Sequence, residues 1–225
     1  MREAVGDRAT IVAGVGAAGT RHTVEIAQEA RKAGADAVLV VTPCCGRPPQ
    51  DAVEARFRTV ADACGLPVML YDIPGRTGTR VEPATLLRLA GHPGIVAVKG
   101  CAGDLLGTQK VPAGSESAVC AGRDEHRLAL IAAGAAGCVS TVANAVPRQV
   151  RAVSEAFDAG DTARAARLQQ RAIECIELTR CSGLPGTVTV KVLLGALGLQ
   201  AGPSVRRCGR PARRRTPVCR PRTSG

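Results

Sequence analysis

Short apolar runs alternate with amphipathic stretches over residues 10–144. Most of the runs are apolar throughout and rich in β-branched residues, which is typical of parallel strands that are covered on both faces. The predicted strands span 10–15, 37–42, 67–71, 95–99, 118–121 and 137–141. Between them, apolar residues recur three and four positions apart, and this spacing predicts helices. These predicted helices span 22–33, 51–63, 82–90 and 124–133.

The order of these elements predicts an α/β fold. Successive strands begin about 20–30 residues apart, which is the size of a βα unit. Six such units in a row fit either a doubly wound sheet or part of a (βα)8 TIM barrel. After residue 144 the pattern predicts only helices, at 148–159, 162–178 and 186–197. A barrel with a C-terminal helical extension fits this order, so we expect an incomplete TIM barrel that lacks two βα units at its N-terminus.

Charge separates a body from a C-terminal tail. The net charge is +11, yet eight arginines and no acidic residue lie in 203–225. Residues 1–202 are therefore close to neutral, which argues against nucleic acid as the main partner, although the tail could bind it nonspecifically. We expect three regions: a partial barrel at 1–144, a helical region at 145–202 and a disordered basic tail at 203–225. A shifted reading frame would also explain the tail.

Other function classes are less compatible with the composition. No apolar run has the length of a membrane span, and the N-terminus lacks a signal-peptide pattern, so we expect a cytoplasmic protein with no membrane contact. The ten cysteines and three histidines lack the spacing of zinc half-sites, and no metal site is predicted. Most of the thiols are expected to act as small core residues.

A glycine-rich segment at 14–19 matches G-x-G-x-x-G between a predicted strand and a predicted helix, as in dinucleotide-binding sites. Such a site needs an acidic residue at the end of the second strand to bind the ribose. Here that strand ends in Thr42 and Pro43, and Asp36 lies before it. The sequence therefore favours a glycine-rich turn at the rim of a barrel.

Strand ends supply the candidate catalytic groups, because the site of a βα fold forms beyond the carboxyl ends of its strands. Lys99 ends an otherwise apolar run, where desolvation favours a neutral, nucleophilic amine. Tyr71, the single tyrosine, ends the preceding strand and could relay protons. Arg76 follows in a Pro/Gly-rich loop and could bind a carboxylate through two hydrogen bonds. For each residue the alternative is an ordinary solvated side chain.

Together these motifs resemble a known family. The segment YDIPGRTG at 71–78, followed by IVAVK at 95–99, resembles the 4-hydroxy-tetrahydrodipicolinate synthase family of the N-acetylneuraminate lyase superfamily. The tract at 13–43 is similar to the third strand, helix and fourth strand of that family, and CVSTVANAVP at 138–147 to its last barrel strand. The resemblance covers roughly residues 9–202.

The resemblance implies a class I aldolase. Lys99 would form a Schiff base with pyruvate, Tyr71 would shuttle protons, and Val139 would lie against bound pyruvate. Arg76 would receive the carboxylate of L-aspartate 4-semialdehyde. The product, 4-hydroxy-tetrahydrodipicolinate, leads to diaminopimelate and lysine. Because the lysine itself is the electron sink, no metal or organic cofactor is implied. Members of the family are commonly homotetramers, so a homo-oligomer is expected.

The chain departs from the family pattern at several points. Cys45 occupies the position of a tyrosine that reaches across a subunit interface in the family, and Gly100 and Cys101 replace residues that are often polar. The first two βα units, with a loop that contacts pyruvate, are expected to be absent. Three alternatives therefore stay open: an inactive fragment, another pyruvate-dependent aldolase acting on keto-sugar acids, and a non-catalytic protein whose basic tail binds nucleic acid.

Overall fold

The computed structural model describes residues 1–180 and 183–204. The chain forms two compact units: unit 1 comprises Met1–Arg123 and Ala129–Val139, and unit 2 comprises Asp124–Leu128 and the chain from Ser140 onward. The predicted tail at 203–225, apart from its first two residues, lies outside the described residues. In the part of the chain that is described, no helix is both long enough and apolar enough to cross a bilayer.

A parallel sheet forms the centre of unit 1. Within the described residues it has six strands in the order β1-β2-β3-β4-β5-β6, and each strand pairs in parallel with the next. The strands are β1 (Val12–Val15), β2 (Ala37–Val41), β3 (Val68–Asp72), β4 (Ile95–Gly100), β5 (Ala118–Ala121) and β6 (Gly137–Cys138). The predicted α/β fold of TIM-barrel type, with six βα units, is confirmed. The last strand is shorter than its predicted span of 137–141.

The core of unit 1 lies between the sheet and its helices. Val38 and Val40 of β2 and Leu70 of β3 are fully buried, as is Phe57 of the helix that connects these two strands. Each such side chain contributes about 1.5–3 kcal/mol when it is removed from water. The continuous apolar runs therefore drive sheet formation, and they set the strand ends at the boundary between core and solvent.

Helices connect these strands. Apolar spacing correctly predicted α2 (Thr20–Lys32), α3 (Gln50–Cys64), α5 (Pro83–Ala90) and α7 (Arg127–Ala132), the last of which spans both units. The structure adds α1 (Arg2–Val5), α4 (Pro74–Thr77) and α6 (Leu105–Gly114). The predicted loop at 72–78 thus contains a short helix. The sequence did not predict α6, because Gly107 and Pro112 interrupt its helical pattern of apolar residues. Asp104 caps its first turn and accepts a hydrogen bond from the Gly107 amide at 2.9 Å.

The register between β3 and β4 changes by one residue. Val68 pairs with Ile95, whereas Met69 pairs with Ala97, so Val96 has no partner at the corresponding position of β3. This is the behaviour of a β-bulge, which re-aims the residues that follow it. Val96 is 44% exposed although it lies in an apolar run. Beyond the shift, Tyr71 pairs with Lys99.

Unit 2 is helical in its described residues. It contains α8 (Pro147–Asp158), α9 (Thr162–Leu178) and α10 (Gly186–Ala196), each within one residue of its predicted span or at it. Inside it, the fully buried Arg127 donates from Nε and Nη2 to Gln169 Oε1, at 3.1 and 2.7 Å. Gln169 Nε2 in turn donates to the backbone oxygen of Asp124 at 2.9 Å. A charged side chain therefore belongs to the interior of this unit.

Candidate active site

The two residues expected to carry the chemistry lie together at the carboxyl ends of β3 and β4. Tyr71 and Lys99 occupy paired positions in the sheet. Lys99 Nζ lies 4.1 Å from the centroid of the Tyr71 ring, within the range of a cation–π contact. Both side chains are half-buried. The structure thus places an amine and a phenol side by side at the edge where a βα fold builds its site.

Cys101 belongs to the same cluster, and sequence reasoning gave it no role. It lies two positions after Lys99, is 5% exposed, and interacts closely enough with the Tyr71 side chain to shift the pKa of both groups. Burial raises the pKa of its thiol, against the opposing effect of nearby Lys99. The signal was available in the sequence, because alternate residues of a strand lie on the same face.

Tyr71 titrates far above an ordinary tyrosine. Burial is the main cause of its raised pKa, and the contact with Cys101 raises it further, whereas the positive charge of Arg76 lowers it. The phenol is therefore protonated at neutral pH. A protonated hydroxyl beside an amine can donate a proton and then take it back, as a relay requires.

A second thiol and a glycine complete the surroundings of Lys99. Cys120 of β5 pairs with Lys99 in the sheet, and burial raises the pKa of its thiol. A methyl group at Gly122 would overlap Cys101 Sγ and would come within 3.0 Å of Lys99 Cγ and 2.9 Å of the Gly100 oxygen. Only glycine fits there, because the lysine stem and the buried thiol already occupy the space.

Asp72, the residue after Tyr71, is a buried carboxyl group that the sequence did not single out. It is 3% exposed, and its Oδ1 accepts a hydrogen bond from the Val81 amide at 3.1 Å. Burial raises its pKa to about 6, and the Val81 bond and the charge of Arg80 offset only part of that effect. A buried acid next to the candidate relay adds to the perturbed titration of this strand end.

Arg76 lies on α4, and hydrogen bonds between threonines hold the segment that carries it. Thr42 Oγ1, directly after β2, donates to Thr77 Oγ1 at 2.8 Å. Thr77 Oγ1 in turn donates to the backbone oxygen of Thr79 at 3.0 Å. Arg76 itself is exposed, yet close enough for its charge to lower the pKa of Tyr71. A fixed backbone therefore presents a solvent-accessible guanidinium near the Tyr71–Lys99 pair.

The other two expected site residues occupy strand ends as well. Val139 follows β6 directly, is half-buried, and its amide donates to the Ala121 oxygen at 2.9 Å. Cys45 is exposed and lies in a turn after β2 with a φ of 72°. Its side chain hydrogen-bonds to that of Cys44, which raises the pKa of the Cys45 thiol. Of the seven cysteines in the described part of the chain, two, Cys64 and Cys101, are buried, so the expectation that most thiols would be core residues is wrong for these seven.

The glycine-rich turn at 14–19 is occupied by protein groups. A methyl group at Gly16 would come within 2.5 Å of Val41 Cγ1, so close packing explains that glycine. The Ala17 amide donates to Thr23 Oγ1 at 3.1 Å, and the buried Arg56 donates to the Ala17 oxygen at 2.7 Å. Within residues 1–180 and 183–204, no three His, Cys, Asp or Glu side chains cluster as metal ligands would.

Comparison with known proteins gives matches over most of the chain. The family model described as "Dihydrodipicolinate synthetase family" matches residues 1–215. The chain is 69% identical over 203 residues to 4-hydroxy-tetrahydrodipicolinate synthase 1 of Streptomyces coelicolor, which covers 90% of this chain and 67% of that protein. It is 47% identical over 201 residues to the synthase of Acidothermus cellulolyticus, with 89% and 65% covered. The chain spans about two thirds of the length of these relatives.

Solved structures give the same picture. Dihydrodipicolinate synthase from Acinetobacter baumannii, solved in complex with pyruvate, superposes with a TM-score of 0.88 at 31% identity, covering 94% of this chain and 73% of that one. The enzyme from Cyanidioschyzon merolae, solved with lysine bound, superposes with a TM-score of 0.87 at 31% identity, covering 91% and 70%.

Proposed function

Because the chain belongs to the dihydrodipicolinate synthetase family, we propose that it condenses pyruvate with L-aspartate 4-semialdehyde to 4-hydroxy-tetrahydrodipicolinate, on the route to diaminopimelate and lysine. The observation that carries the proposal is the position of Lys99 Nζ, 4.1 Å from the ring centroid of Tyr71 at paired strand ends. An amine and a proton relay at one strand edge are the minimum that Schiff-base chemistry requires.

The first half-reaction belongs to these two residues. The Lys99 amine attacks the keto carbon of pyruvate, and the resulting carbinolamine loses water to become an imine. Tyr71 supplies the proton that leaves with this water and accepts one when the imine becomes an enamine. Its raised pKa keeps the phenol protonated at the start of the reaction and favours the return of a proton in the second step. No metal or organic cofactor takes part in this proposal, because the protonated imine itself withdraws electrons.

The second half-reaction adds the aldehyde. The enamine carbon attacks the aldehyde carbon of L-aspartate 4-semialdehyde, and cyclisation then releases Lys99. Arg76 binds the carboxylate of this substrate, which its exposure and the threonine contacts of its segment support. Val139, at the end of β6, forms an apolar contact with pyruvate. A keto-sugar-acid lyase would instead prefer a polyhydroxylated aldehyde, and an assay with competing aldehydes separates the two activities.

The proposal includes a cytoplasmic location and a homo-oligomeric assembly. Cys45, at the position where the family resemblance implies an interface residue, is exposed and therefore accessible to a second copy of the chain. Cell fractionation tests the location. Light scattering coupled to gel filtration tests the assembly, and a monomeric mass at micromolar concentration would refute this part of the proposal.

Trapping with borohydride tests the central step. The protein is incubated with pyruvate and sodium borohydride, and peptides are mapped by mass spectrometry. We expect one reduced pyruvate adduct on Lys99, absent in Lys99→Ala and retained in the control Lys110→Ala, which removes an exposed lysine of α6. An unmodified but folded protein, or an adduct on Lys32, Lys110 or Lys191 instead, would show that the proposed function is wrong.

A further inference from the structure

Cys101 has no part in the steps above, yet its position is tightly defined. Its amide donates to the Asp72 oxygen at 2.8 Å, and its own carbonyl accepts from Arg123 Nε at 3.0 Å. The first bond joins it to β3 just beyond Tyr71, and the second joins it to the segment after β5. A residue whose backbone is held from both sides presents its side chain in one direction.

That direction is toward the reacting pair. The space beside Gly122 is bordered by both Cys101 Sγ and Lys99 Cγ, since a methyl group placed there would crowd both atoms. Cys101 is 5% exposed, so water has little access to its thiol. Tyr71 pairs with Lys99, two positions before Cys101, and the phenol and the thiol each shift the pKa of the other. Cys101, Tyr71 and Lys99 thus form a connected set at one strand edge.

A phenol that relays protons needs a partner that can hold a proton while the phenol gives one away. A thiol is suited to this, because it can donate a hydrogen bond as well as accept one. Burial raises the pKa of the Cys101 thiol and keeps it protonated at rest. Lys99, Tyr71 and Arg123 oppose this effect on the pKa of the thiol, and the positive charges of Lys99 and Arg123 would stabilise a transient thiolate.

We propose that Cys101 is a positioning residue for Tyr71, which it holds beside Lys99 Nζ and resupplies with a proton. This inference rests on the proposed function. When the carbinolamine loses water, Tyr71 donates its proton to the departing hydroxyl and takes a replacement from the Cys101 S–H. When the imine then loses a methyl proton to form the enamine, that proton returns through Tyr71 to the thiolate. The thiol is unchanged at the end of the two steps.

The composition of the chain allows a direct test. Tyr71 is the single tyrosine, so protein made with tyrosine labelled with 13C at Cζ gives one resonance, whose position responds to the hydrogen bonding of the phenol. We expect Cys101→Ala to move this resonance at neutral pH, and Cys101→Ser to move it less because a hydroxyl keeps the contact. The control Cys64→Ala removes another buried thiol of unit 1, next to the start of β3, and should leave the resonance in place.

The kinetic test follows the rate of adduct formation on Lys99 under borohydride trapping. We expect a decrease of about tenfold in Cys101→Ala, which corresponds to the loss of one hydrogen bond in the reacting cluster. Cys101→Ser should recover most of the rate, and Cys64→Ala should match the unmodified protein. A loss of rate from misfolding would appear in circular dichroism and would not be recovered by serine.

The outcomes separate the two proposals. If the unmodified protein forms no adduct, the proposed function fails, and the resonance shift in Cys101→Ala still decides whether the thiol positions Tyr71. If adduct forms but Cys101→Ala changes neither the resonance nor the rate, the role of Cys101 is refuted and the proposed function stands. An equal shift in Cys64→Ala would also refute it, since any buried thiol would then produce the effect.

Discussion

Buried polar side chains occur in both units, and they are compensated in different ways. In unit 2, the buried Arg127 uses two donors on Gln169, and the carboxylate of Asp124 accepts hydrogen bonds from Ser140 Oγ and from the Thr141 amide, the latter at 3.2 Å. These bonds connect Arg127, Gln169 and Asp124 within the unit, while Arg127 Nη1 makes no hydrogen bond to any described residue and lies 3.9 Å from Asp124 Oδ1.

In unit 1, the acidic groups at the ends of β3 and β4 have pKa values that burial shifts. Burial is the leading cause of the raised pKa values of Tyr71, Asp72 and Cys101. A hydrogen-bond network holds its groups in one arrangement, whereas buried groups with shifted pKa values are typical of sites that transfer protons. The contrast teaches that burial of a polar side chain alone does not mark a functional site; several shifted pKa values at one strand edge are the better indicator.

The largest effect should come from breaking the hydrogen-bond network of Arg127, Gln169 and Asp124. Arg127→Ala leaves Gln169 Oε1 without its donor inside unit 2, and it creates a cavity. We expect a loss of about 4 kcal/mol in the free energy of unfolding, measured by urea denaturation. The control Arg151→Ala removes an exposed arginine paired with Glu155, and should change stability by about 0.5 kcal/mol or less. Similar small losses in both variants would mean that the unit 2 network does not stabilise the fold.

An added methyl group should disturb the cluster of Tyr71, Lys99 and Cys101 without removing any of its side chains. Gly122→Ala introduces a methyl that overlaps Cys101 and presses on Lys99 Cγ. Because a displacement near 1 Å at a reacting group costs about a hundredfold in rate, we expect adduct formation with pyruvate to slow by about that factor. Gly14→Ala on β1, where a methyl meets no atom within 4 Å, should leave the rate unchanged. Unaltered kinetics in Gly122→Ala would show that the position of the Lys99 stem is not critical.

The smallest effect should appear as a dependence of stability on pH. The pKa of Asp72 is about 6 in the folded state and about 3.9 when unfolded. Between these values the folded state binds more protons than the unfolded state, so the contribution of Asp72 to stability falls as pH rises from about 4 to about 6.

Asp72→Asn removes this titration and keeps the acceptor for the Val81 amide. The variant should gain about 2 kcal/mol relative to the unmodified protein between pH 4 and pH 7. Parallel denaturation curves at both pH values measure the gain. A difference between variant and parent that stays constant with pH would contradict the raised pKa.

Much of the fold could be predicted, because strands buried on both faces are written as continuous apolar runs. Tyr71 and Lys99 were found at strand ends for the same reason: each is a polar residue that ends such a run. The family resemblance based on 71–78 and 95–99 is confirmed by the family and relatives that match. The roles of Lys99, Tyr71, Arg76 and Val139 stay predictions.

Other features have no local signature. Arg127 resembles a solvated charge at the start of a helix, because its partner Gln169 is far away in the sequence. Asp72 resembles a turn residue, and Cys101 a small apolar residue after a strand. Their surroundings arise only when distant segments pack together, and it is this packing that decides whether a polar side chain is paired, exposed or left to titrate.

The extra residue in β4 makes the site sensitive to chain length as well as to residue identity. Val96 advances the register so that Tyr71 pairs with Lys99 instead of Val98. A one-residue insertion between Ala97 and Lys99 would preserve each of the four candidate site residues in an alignment, yet it would turn the lysine to the opposite face of the sheet. Insertions in this part of the strand should therefore be rare among active relatives, and a homologue that carries one would be misread as active if only its motifs were inspected.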